Sequence, residues 1–306
     1  MRAARRLAFS RLAGWAEDDH AAALATYALT VDLLGPDWPR PEGDDARAFF
    51  ERHFRPVLIG TPPALLTGYY EPEVAGTEAP DDIFRHPLYA PPPDLPADRP
   101  WLSRAEIEAG NLLAGRELVW LDSPVEAFLA QVQGSVRVRL ADGRVQRFGF
   151  AGKNGQEYRS IGAELVRRGE IAAAEMSAGA IRDWCARHPG RVADLLRHSP
   201  SFVFFRALDL PEGSGPLGCM GRPVTAGRSL AVDPDHVPLG APVWVEGDAS
   251  ASLMIAQDTG SAIKGAGRGD LFCGSGAEAG ERAGKMRILG RLVTFLPVSL
   301  AKGIAR

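Results

Sequence analysis

Apolar residues recur at helical spacing over residues 16–34, behind acidic residues in the first turn, and Gly35-Pro36 ends the pattern. This pattern predicts one amphipathic helix. A second helix is predicted from Asp44 to His53. The apolar runs 56–60 and 64–70 that follow are bounded by turn residues and predict strands.

The middle of the chain opens with an extended segment, because residues 71–100 hold eight of the 24 prolines. This segment is a predicted crossing point between domains. A capping-box pattern at Ser103 then predicts a short helix, and two more helices are predicted over 160–169 and 176–187. Strands are predicted by alternation over 119–121, 127–133, 136–140 and 145–150. From Phe202 onward, short strands between Gly- and Pro-rich turns favour a barrel or a sandwich.

Composition excludes several classes of protein. The 306 residues are 45% hydrophobic and 24% charged, as in soluble globular domains, and the length suggests about two domains. No apolar run approaches the ~18–20 residues of a membrane-spanning helix. The formal net charge is -3, without the basic excess typical of nucleic-acid-binding domains, so no nucleic-acid partner is expected.

Cysteine and histidine patterns point to no metal centre. Cys185, Cys219 and Cys273 are widely separated, show no CxxC spacing and leave the disulfide state open. The six histidines form no pair at ligand spacing, and the Gly-x-Ser-x-Gly elbow of serine hydrolases is absent. We therefore expect no metal and no cofactor. The first residues are basic, but Arg11 interrupts any apolar signal region, and no lipidation cysteine follows, so no export signal is visible.

The densest chemical signal is a group of six carboxylates within 38 residues: Asp233, Asp235, Glu246, Asp248, Asp258 and Asp270. Glycines close to Asp258 and Asp270 allow the backbone to approach tightly and form a polar cleft. Lys264 supplies a cation near them. Neighbouring acids push carboxyl pKa values apart, so that one ionises while another keeps its proton. The alternative is that these aspartates only cap turns.

The segment from Asp258-Thr-Gly-Ser-Ala-Ile-Lys264 through Arg268-Gly-Asp270 to Gly284 resembles the three-aspartate (3D) domain of the MltA family of membrane-bound lytic murein transglycosylases. Five earlier segments resemble family motifs in the expected order, so the resemblance covers nearly the whole chain. These segments are Leu66-Thr-Gly68-Tyr69-Tyr70-Glu71-Pro, Val132-Gln133-Gly134-Ser135, Phe150-Ala-Gly-Lys153-Asn154-Gly, Tyr158-Arg-Ser-Ile-Gly162 and Ser199-Pro-Ser-Phe-Val-Phe-Phe205.

The resemblance implies a mainly β protein with a few helices. A double-psi β-barrel would form from both chain ends, residues 1–74 and 202–306, with a smaller β-barrel domain, 75–201, inserted between them. A groove between the domains would hold a glycan strand. The implied reaction cleaves the β-1,4 bond between N-acetylmuramic acid and N-acetylglucosamine in peptidoglycan without water and leaves a 1,6-anhydromuramoyl end.

The catalytic aspartate of the family corresponds to Asp270, while Asp258 and Asp233 complete the three. Asp270 would protonate the glycosidic oxygen and then act as a base. Asp258 would assist by hydrogen bonding or by raising the proton affinity of Asp270. Predicted substrate-binding residues are aromatic or polar groups suited to sugars: Tyr69, Tyr70, Gln133, Ser135, Lys153, Asn154, Lys264 and Asp233. As single residues, the polar ones are also typical of ordinary loops, and one of the two tyrosines is expected in the core.

The resemblance makes peptidoglycan glycan strands the expected partner, with other cell-wall enzymes as further candidates, and a monomer as the expected state. Because peptidoglycan lies outside the cytoplasm, a periplasmic location, with outer-membrane association as an option, is expected from function alone. Exo or endo action and peptide-stem preference stay open.

Two other classes remain. Asp258-Thr-Gly-Ser matches the signature of aspartic proteases, but those enzymes need a second such aspartate, here available only from a dimer, and Gln257 stands where an apolar residue is expected. A glycan-binding barrel without activity is the second alternative, although Asp258, Lys264 and Asp270 are all present.

Overall fold

The structure is a computed structural model that describes residues 4–211, 213–247 and 251–305, so the predicted carboxylate Asp248 lies outside the described residues. Fourteen strands are described: β1 Ala4–Arg6, β2 Phe54–Ile59, β3 Ala64–Glu71, β4 Glu73–Thr77, β5 His86–Tyr89, β6 Glu117–Leu121, β7 Ser135–Arg139, β8 Val145–Lys153, β9 Val203–Leu208, β10 Ser229–Val232, β11 Pro242–Glu246, β12 Ala251–Asp258, β13 Arg268–Ser275 and β14 Arg287–Pro297.

Eight α-helices accompany the strands in the same ranges: α1 His20–Ala28, α2 Ala46–His53, α3 Arg104–Ala109, α4 Pro124–Gln133, α5 Ile161–Arg167, α6 Ala178–Arg187, α7 Val192–Arg197 and α8 Gly276–Lys285. Short 3₁₀ helices occupy Phe9–Arg11, Trp15–Glu17, Val31–Leu33, Ala173–Glu175 and Pro189–Arg191. No helix among the described residues is both long enough and apolar enough to cross a membrane.

The chain divides into two compact units. The first combines Met1–Tyr70, Glu212–Gly274 and Ala279–Arg306, and the second consists of Glu71–Pro211 with Ser275–Glu278. In sequence, the second unit is thus inserted between the segments that form the first. The domain boundaries given above at 74/75 and 201/202 stay a prediction.

The first unit is a closed barrel. Its strands follow the order β1-β2-β14-β11-β12-β10-β13-β3, and β3 also pairs with β14, which closes a ring of six strands that β2 and β1 extend. β10 pairs in parallel with β12 and antiparallel with β13. Closure leaves no unpaired edge in the ring. Together with the insert, this barrel confirms the predicted mainly β, double-psi fold class.

Aromatic side chains fill the core of the barrel unit. Trp15 and Trp244 meet edge to face at 5.2 Å between ring centroids, and Phe295 packs on Trp15 at 5.3 Å. Tyr27 of α1 and Phe50 of α2 are fully buried, so both leading helices attach to the barrel by apolar faces. Each such buried side chain contributes on the order of 2–3 kcal/mol.

The second unit contains a six-stranded sheet in the order β5-β6-β4-β7-β8-β9. β4 runs parallel to β7, and the other neighbours in the sheet are antiparallel. A core of aliphatic residues with Phe148 and Phe205 lies against the sheet, and a separate helical core surrounds Trp184. This unit is sheet-rich, as expected of the insert.

The structure corrects several predicted elements. Residues 127–133, predicted as a strand, belong to helix α4, because Ser123 caps it, Pro124 stands in its first turn and left-handed Gly134 ends it. The single helix predicted over 16–34 is α1 flanked by two 3₁₀ helices. The extended segment 71–100 contains β4 and β5, and α8 interrupts the strands predicted after Phe202. The predicted capping box at Ser103 is confirmed.

Candidate active site

Two aspartates of the predicted cluster lie on strands that flank the same strand of the barrel. Ala231 of β10 is the register partner of both Asp258 on β12 and Asp270 on β13. With neighbouring strands about 4.8 Å apart, the Cα atoms of the two aspartates are separated by about 10 Å. The barrel therefore brings both aspartates to the same level on the two strands that flank β10.

Asp270 is half-buried and accepts a hydrogen bond from Thr67 of the neighbouring strand, which in turn accepts one from Arg268. Thr67 on β3 donates its hydroxyl to Oδ1 of Asp270, and Arg268 Nη2 donates to Thr67 Oγ1 at 2.8 Å. Burial raises the pKa of Asp270 to about 6; the Thr67 hydrogen bond and the charge of Arg268 oppose this rise, and the charge of Asp258 adds to it. A carboxyl with such a pKa can both give and take a proton near neutral pH.

Asp258 is held by three donors. Its Oδ2 accepts from the Tyr69 hydroxyl at 2.8 Å, and its Oδ1 accepts from the backbone N–H groups of Thr259 at 2.9 Å and Cys219 at 3.0 Å. Burial raises the pKa of Asp258 while these hydrogen bonds oppose the rise. Burial and the nearby Asp258 charge hold the pKa of Tyr69 well above its usual range, so Tyr69 stays a donor.

A glycine allows the backbone to reach Asp258. A Cβ at Gly218 would lie 2.6 Å from the Gln257 carbonyl oxygen and 3.5 Å from the Asp258 carboxyl carbon. Only glycine therefore lets this turn pass close enough for the Cys219 N–H to bond the carboxylate. Gln257 itself is buried and its amide donates to the Thr26 carbonyl at 2.9 Å, which ties the end of β12 to α1.

Asp233 secures the loop that precedes β13. Its buried carboxylate accepts from Gly265 N at 2.6 Å and Asp235 N at 3.3 Å. The Gly265 hydrogen bond is the main reason why its pKa lies below the usual range. Lys264 Nζ lies 3.8 Å from Asp233 Oδ1, but the lysine side chain is 66% exposed. Asp233 thus shapes the loop, whereas Lys264 presents its charge to solvent.

Tyr69 and Tyr70 point to opposite faces of β3, as the period of a strand requires. Tyr70 is buried with Cys273, Ala279 and Ala283, and a Cβ at Gly280 would come within 2.8 Å of its ring. Tyr69 packs on Phe272 with 5.3 Å between ring centroids and directs its hydroxyl to Asp258. The expectation that one tyrosine enters the core is met by Tyr70.

Three of the predicted polar residues of the inserted unit lie on helix α4 and on the two strands that follow it, β7 and β8. Gln133 is half-buried at the end of α4, Ser135 is buried at the start of β7, and Lys153 is exposed at the end of β8. Ser135 pairs in register with Gly149 of β8, so β7 and β8 carry two of these residues on neighbouring strands.

Asn154 uses its whole amide within the protein. Its Nδ2 donates to the carbonyls of Leu102 and Pro200, both at 2.8 Å. Its Oδ1 accepts from Phe202 N at 2.8 Å and Gln156 N at 3.3 Å. Two donor and two acceptor positions are the full capacity of an amide. Asn154 thus supports the scaffold of the inserted unit, and its predicted contact with substrate stays a prediction.

Comparisons with known proteins agree with this architecture. The chain matches the MltA specific insert domain over residues 65–206 and the 3D domain over residues 228–296. A crystal structure of a membrane-bound lytic murein transglycosylase from Agrobacterium tumefaciens shares 32% identity, with a TM-score of 0.86 over 98% of this chain and 99% of that chain. The chain belongs to the MltA family.

Two further MltA relatives come from Escherichia coli. Membrane-bound lytic murein transglycosylase A of strain K12 is 37% identical over 243 residues, which are 74% of this chain and 64% of the relative. The match thus spans less than two thirds of that protein. The crystal structure of E. coli MltA with bound chitohexaose has a TM-score of 0.76 at 30% identity, over 94% of this chain and 90% of that one.

Sequence reasoning missed Thr67 and Arg268, which contact each other and, through Thr67, Asp270. Both stand two positions before a residue that was singled out, Tyr69 and Asp270, and therefore on the same face of the same strand. That spacing is the signal that could have found them. Glu71, quoted only within a motif, is fully buried and accepts from Ser275 Oγ at 2.8 Å and Arg147 Nη2 at 3.0 Å.

All three cysteines are free thiols, and burial raises the pKa of Cys219 and of Cys273 to about 11. Such thiols are protonated at neutral pH and poor nucleophiles. Within residues 4–211, 213–247 and 251–305, no group of three or more His, Cys, Asp or Glu side chains is arranged to hold a metal ion.

Proposed function

We propose that this protein is a peptidoglycan lytic transglycosylase that cleaves the β-1,4 bond between N-acetylmuramic acid and N-acetylglucosamine without water. Membership of the MltA family supports this proposal, as does the resemblance of the Asp258–Asp270 segment to the 3D domain. The observation that carries it is the environment of Asp270, a half-buried carboxyl whose pKa is raised to about 6 beside a firmly held Asp258.

Asp270 acts first as a general acid. A glycosidic oxygen leaves poorly unless it is protonated, so Asp270 delivers its proton to that oxygen while the bond to C1 of the muramoyl residue breaks. The N-acetylglucosamine side departs with the proton as a free 4-hydroxyl. The positive charge that develops at C1 faces the newly formed Asp270 carboxylate.

Asp270 then acts as a base. Its carboxylate takes the proton of the muramoyl 6-hydroxyl while that oxygen bonds to C1, which closes the 1,6-anhydro ring. The proton lost in the first step is regained in the second, so one carboxyl completes the cycle and no water is consumed. A hydrolase would instead need a second carboxylate to activate water or attack carbon.

Asp258 supports Asp270 through charge and position. The three donors to Asp258 fill most of its acceptor sites, which suits a fixed negative group better than a base that must bind water. Its charge raises the proton affinity of Asp270. Tyr69 holds Asp258 in place.

Three of the predicted binding residues remain our proposed sugar contacts. Lys264 in the barrel unit and Lys153 in the inserted unit are exposed, and Gln133 is half-buried. Their ammonium and amide groups suit lactyl carboxylate, acetamido and hydroxyl groups. Ser135, Tyr70 and Asp233 are buried and support the elements that carry these residues.

The proposed substrate also sets the proposed location. Peptidoglycan lies outside the cytoplasm, and the relatives are named as membrane-bound. We therefore propose a periplasmic protein, with outer-membrane association as an option, that acts as a monomer on glycan strands, with other cell-wall enzymes as candidate partners. We retain 74/75 and 201/202 as the proposed domain boundaries.

Mass spectrometry of the soluble products from purified peptidoglycan tests the proposal. Wild-type protein should release muropeptides one water lighter than hydrolytic products, and Asp270→Asn should release none. Asp235→Asn is the matched control, because Asp235 is an exposed aspartate of the same barrel. Hydrated products would mean a hydrolase, cut peptide stems would mean a protease, and no release by the wild type would mean a binding module.

A further inference from the structure

We propose that Thr67 and Arg268 form a hydrogen-bond relay that fixes which oxygen of Asp270 carries the proton. This inference rests on the proposed function and adds two positioning residues to it. The relay joins β3 to β13, which are neighbours in the barrel. Thr67 lies between the guanidinium of Arg268 and the carboxyl of Asp270 and contacts both.

The direction of the relay follows from donor chemistry. A guanidinium group can only donate, so the 2.8 Å contact from Arg268 Nη2 makes Thr67 Oγ1 an acceptor. The single hydroxyl hydrogen of Thr67 is then directed to Oδ1 of Asp270. Arg268 is itself held, because its Nη1 donates to the carbonyls of Gly269 at 2.6 Å and Leu65 at 3.3 Å. The hydroxyl therefore has one orientation.

As a consequence, the two carboxyl oxygens of Asp270 have different roles. Because Oδ1 always receives the hydrogen of Thr67, the proton of the neutral carboxyl stands on Oδ2. Within the described ranges, Thr67 is the one hydrogen-bond partner of this carboxyl. Oδ2 is then the atom that protonates the glycosidic oxygen and later accepts the hydroxyl proton, and a single oxygen fixed in space serves both steps.

The same strand supports both aspartates. Thr67 and Tyr69 stand two residues apart on one face of β3, and they donate to Asp270 and Asp258 respectively. Gly68 between them faces the other way, where a Cβ would lie 2.8 Å from Cys273 Sγ and from Ala283 Cα. Tight packing behind β3 thus sets the position of both donors.

The ionisable groups around Asp270 define the sign of each expected change. They are Arg268 and Cys273 on β13, Tyr69 on β3 and Asp258 on β12. The Thr67 hydrogen bond and the Arg268 charge favour the ionised carboxyl, while the Asp258 charge disfavours it. Removing either relay member should raise the pKa of Asp270, and removing the Asp258 charge should lower it.

The test measures release of anhydromuropeptides against pH with the full-length protein. Activity falls at alkaline pH as the acid ionises. Thr67→Val is nearly isosteric and favours a strand; it should move the alkaline limb to higher pH by on the order of half a unit to one unit. It should also lower kcat roughly tenfold, because the acid is no longer oriented. Thr67→Ser keeps the hydroxyl and should leave the limb in place.

Two further variants complete the design. Arg268→Met should move the limb in the same direction as Thr67→Val, and Asp258→Asn should move it to lower pH. If Thr67→Val does not fold, as judged by circular dichroism, Arg268→Met against Arg268→Lys gives the same comparison. A wild-type limb and rate in Thr67→Val or Arg268→Met would overturn the relay. Hydrated or absent wild-type products would instead overturn the proposed function.

Discussion

Asn154 in the inserted unit and Asp270 in the barrel unit differ in how fully the protein satisfies their hydrogen-bonding groups. In the insert, Asn154 makes four hydrogen bonds to backbone groups, and buried Arg104 donates to Gln131 Oε1 at 2.5 Å and to the Ser201 carbonyl at 2.8 Å. In the barrel, Asp270 receives one donor within the described ranges, and burial raises its pKa. A saturated polar group stabilises the fold, whereas an incompletely solvated carboxyl is poised to react.

This contrast extends to the charges on each group. Arg104 lies between the rings of Phe128 and Phe202, 4.6 Å and 5.0 Å from their centroids, and burial lowers its pKa to about 10, still well above neutral pH. Its charge state is therefore constant under physiological conditions. Asp270, with a pKa of about 6, changes its charge near neutral pH. Near neutral pH, Arg104 of the insert therefore keeps one charge state, whereas Asp270 of the barrel changes between two.

The largest expected effect is on the stability of the insert. Asn154→Ala should lower the free energy of unfolding of this unit by about 2–4 kcal/mol, because it leaves the Leu102 carbonyl and the Phe202 N–H without a side-chain partner and removes one of the two donors to the Pro200 carbonyl. Hydrogen exchange and calorimetry measure this loss, and exchange shows whether it is confined to the insert.

Asn111 provides the matched control, because it is the exposed asparagine of the same unit. Asn111→Ala should change stability by less than about 0.5 kcal/mol. If Asn154→Ala and Asn111→Ala change the free energy of unfolding by the same amount, the four hydrogen bonds of Asn154 do not stabilise the insert. The contrast between Asn154 as a stabilising group and Asp270 as a reactive group is then wrong for Asn154.

Local sequence patterns predicted much of the barrel and less of the site. Short strands between turn residues were visible in sequence, as was the approach of Asp258 and Asp270 to glycines, because both depend on neighbours along the chain. Residues 127–133 were predicted as a strand because their apolar and polar residues alternate. Ser123, Pro124 and Gly134 are the local signals that instead determine the bounds of helix α4.

Contacts between distant segments could not be predicted in this way. The partner of Asp270 is 203 positions away in the sequence, and that of Asp258 is 189 positions away. The assignment of Asn154 depends on Leu102, Pro200 and Phe202, which only the folded insert brings to one amide. Residue chemistry suggested which groups could bind a sugar, but the fold decides whether their hydrogen bonds are already used.

A second prediction concerns the free energy of unfolding that the protein loses when the Asp270 carboxyl ionises. The folded-state pKa of Asp270 is about 6, raised above its ordinary value of 3.8, so the folded protein binds more protons than the unfolded chain between these values. Stability from this group is complete below about pH 4 and is lost as pH rises through 6. Asp270→Asn should therefore be more stable than wild type above pH 6, by about 3 kcal/mol.

Thermal unfolding across pH 4 to 8 measures this difference. The gain in melting temperature of Asp270→Asn should be smallest near pH 4, grow to about pH 6.5 and then stay constant. Asp235→Asn, on the exposed side of the same barrel, should show no such trend. A constant gain at every pH would show that the carboxyl is not destabilised by burial.

The smallest expected effect on stability is at Lys264. Its Nζ is 3.8 Å from Asp233, but its side chain is 66% exposed, and exposed ion pairs contribute about 0–1 kcal/mol. Lys264→Ala should leave the melting temperature nearly unchanged, because the Gly265 and Asp235 N–H groups still hold Asp233.

If Lys264 contacts the lactyl carboxylate, the same variant should raise KM several-fold with kcat unchanged, and added salt should reduce the difference. Lys264→Arg should keep most of the affinity, and Lys302→Ala, on another exposed lysine, should match wild type. A wild-type KM in Lys264→Ala would remove Lys264 from the sugar contacts, and a large loss of stability would place it with Asp233 in the saturated scaffold.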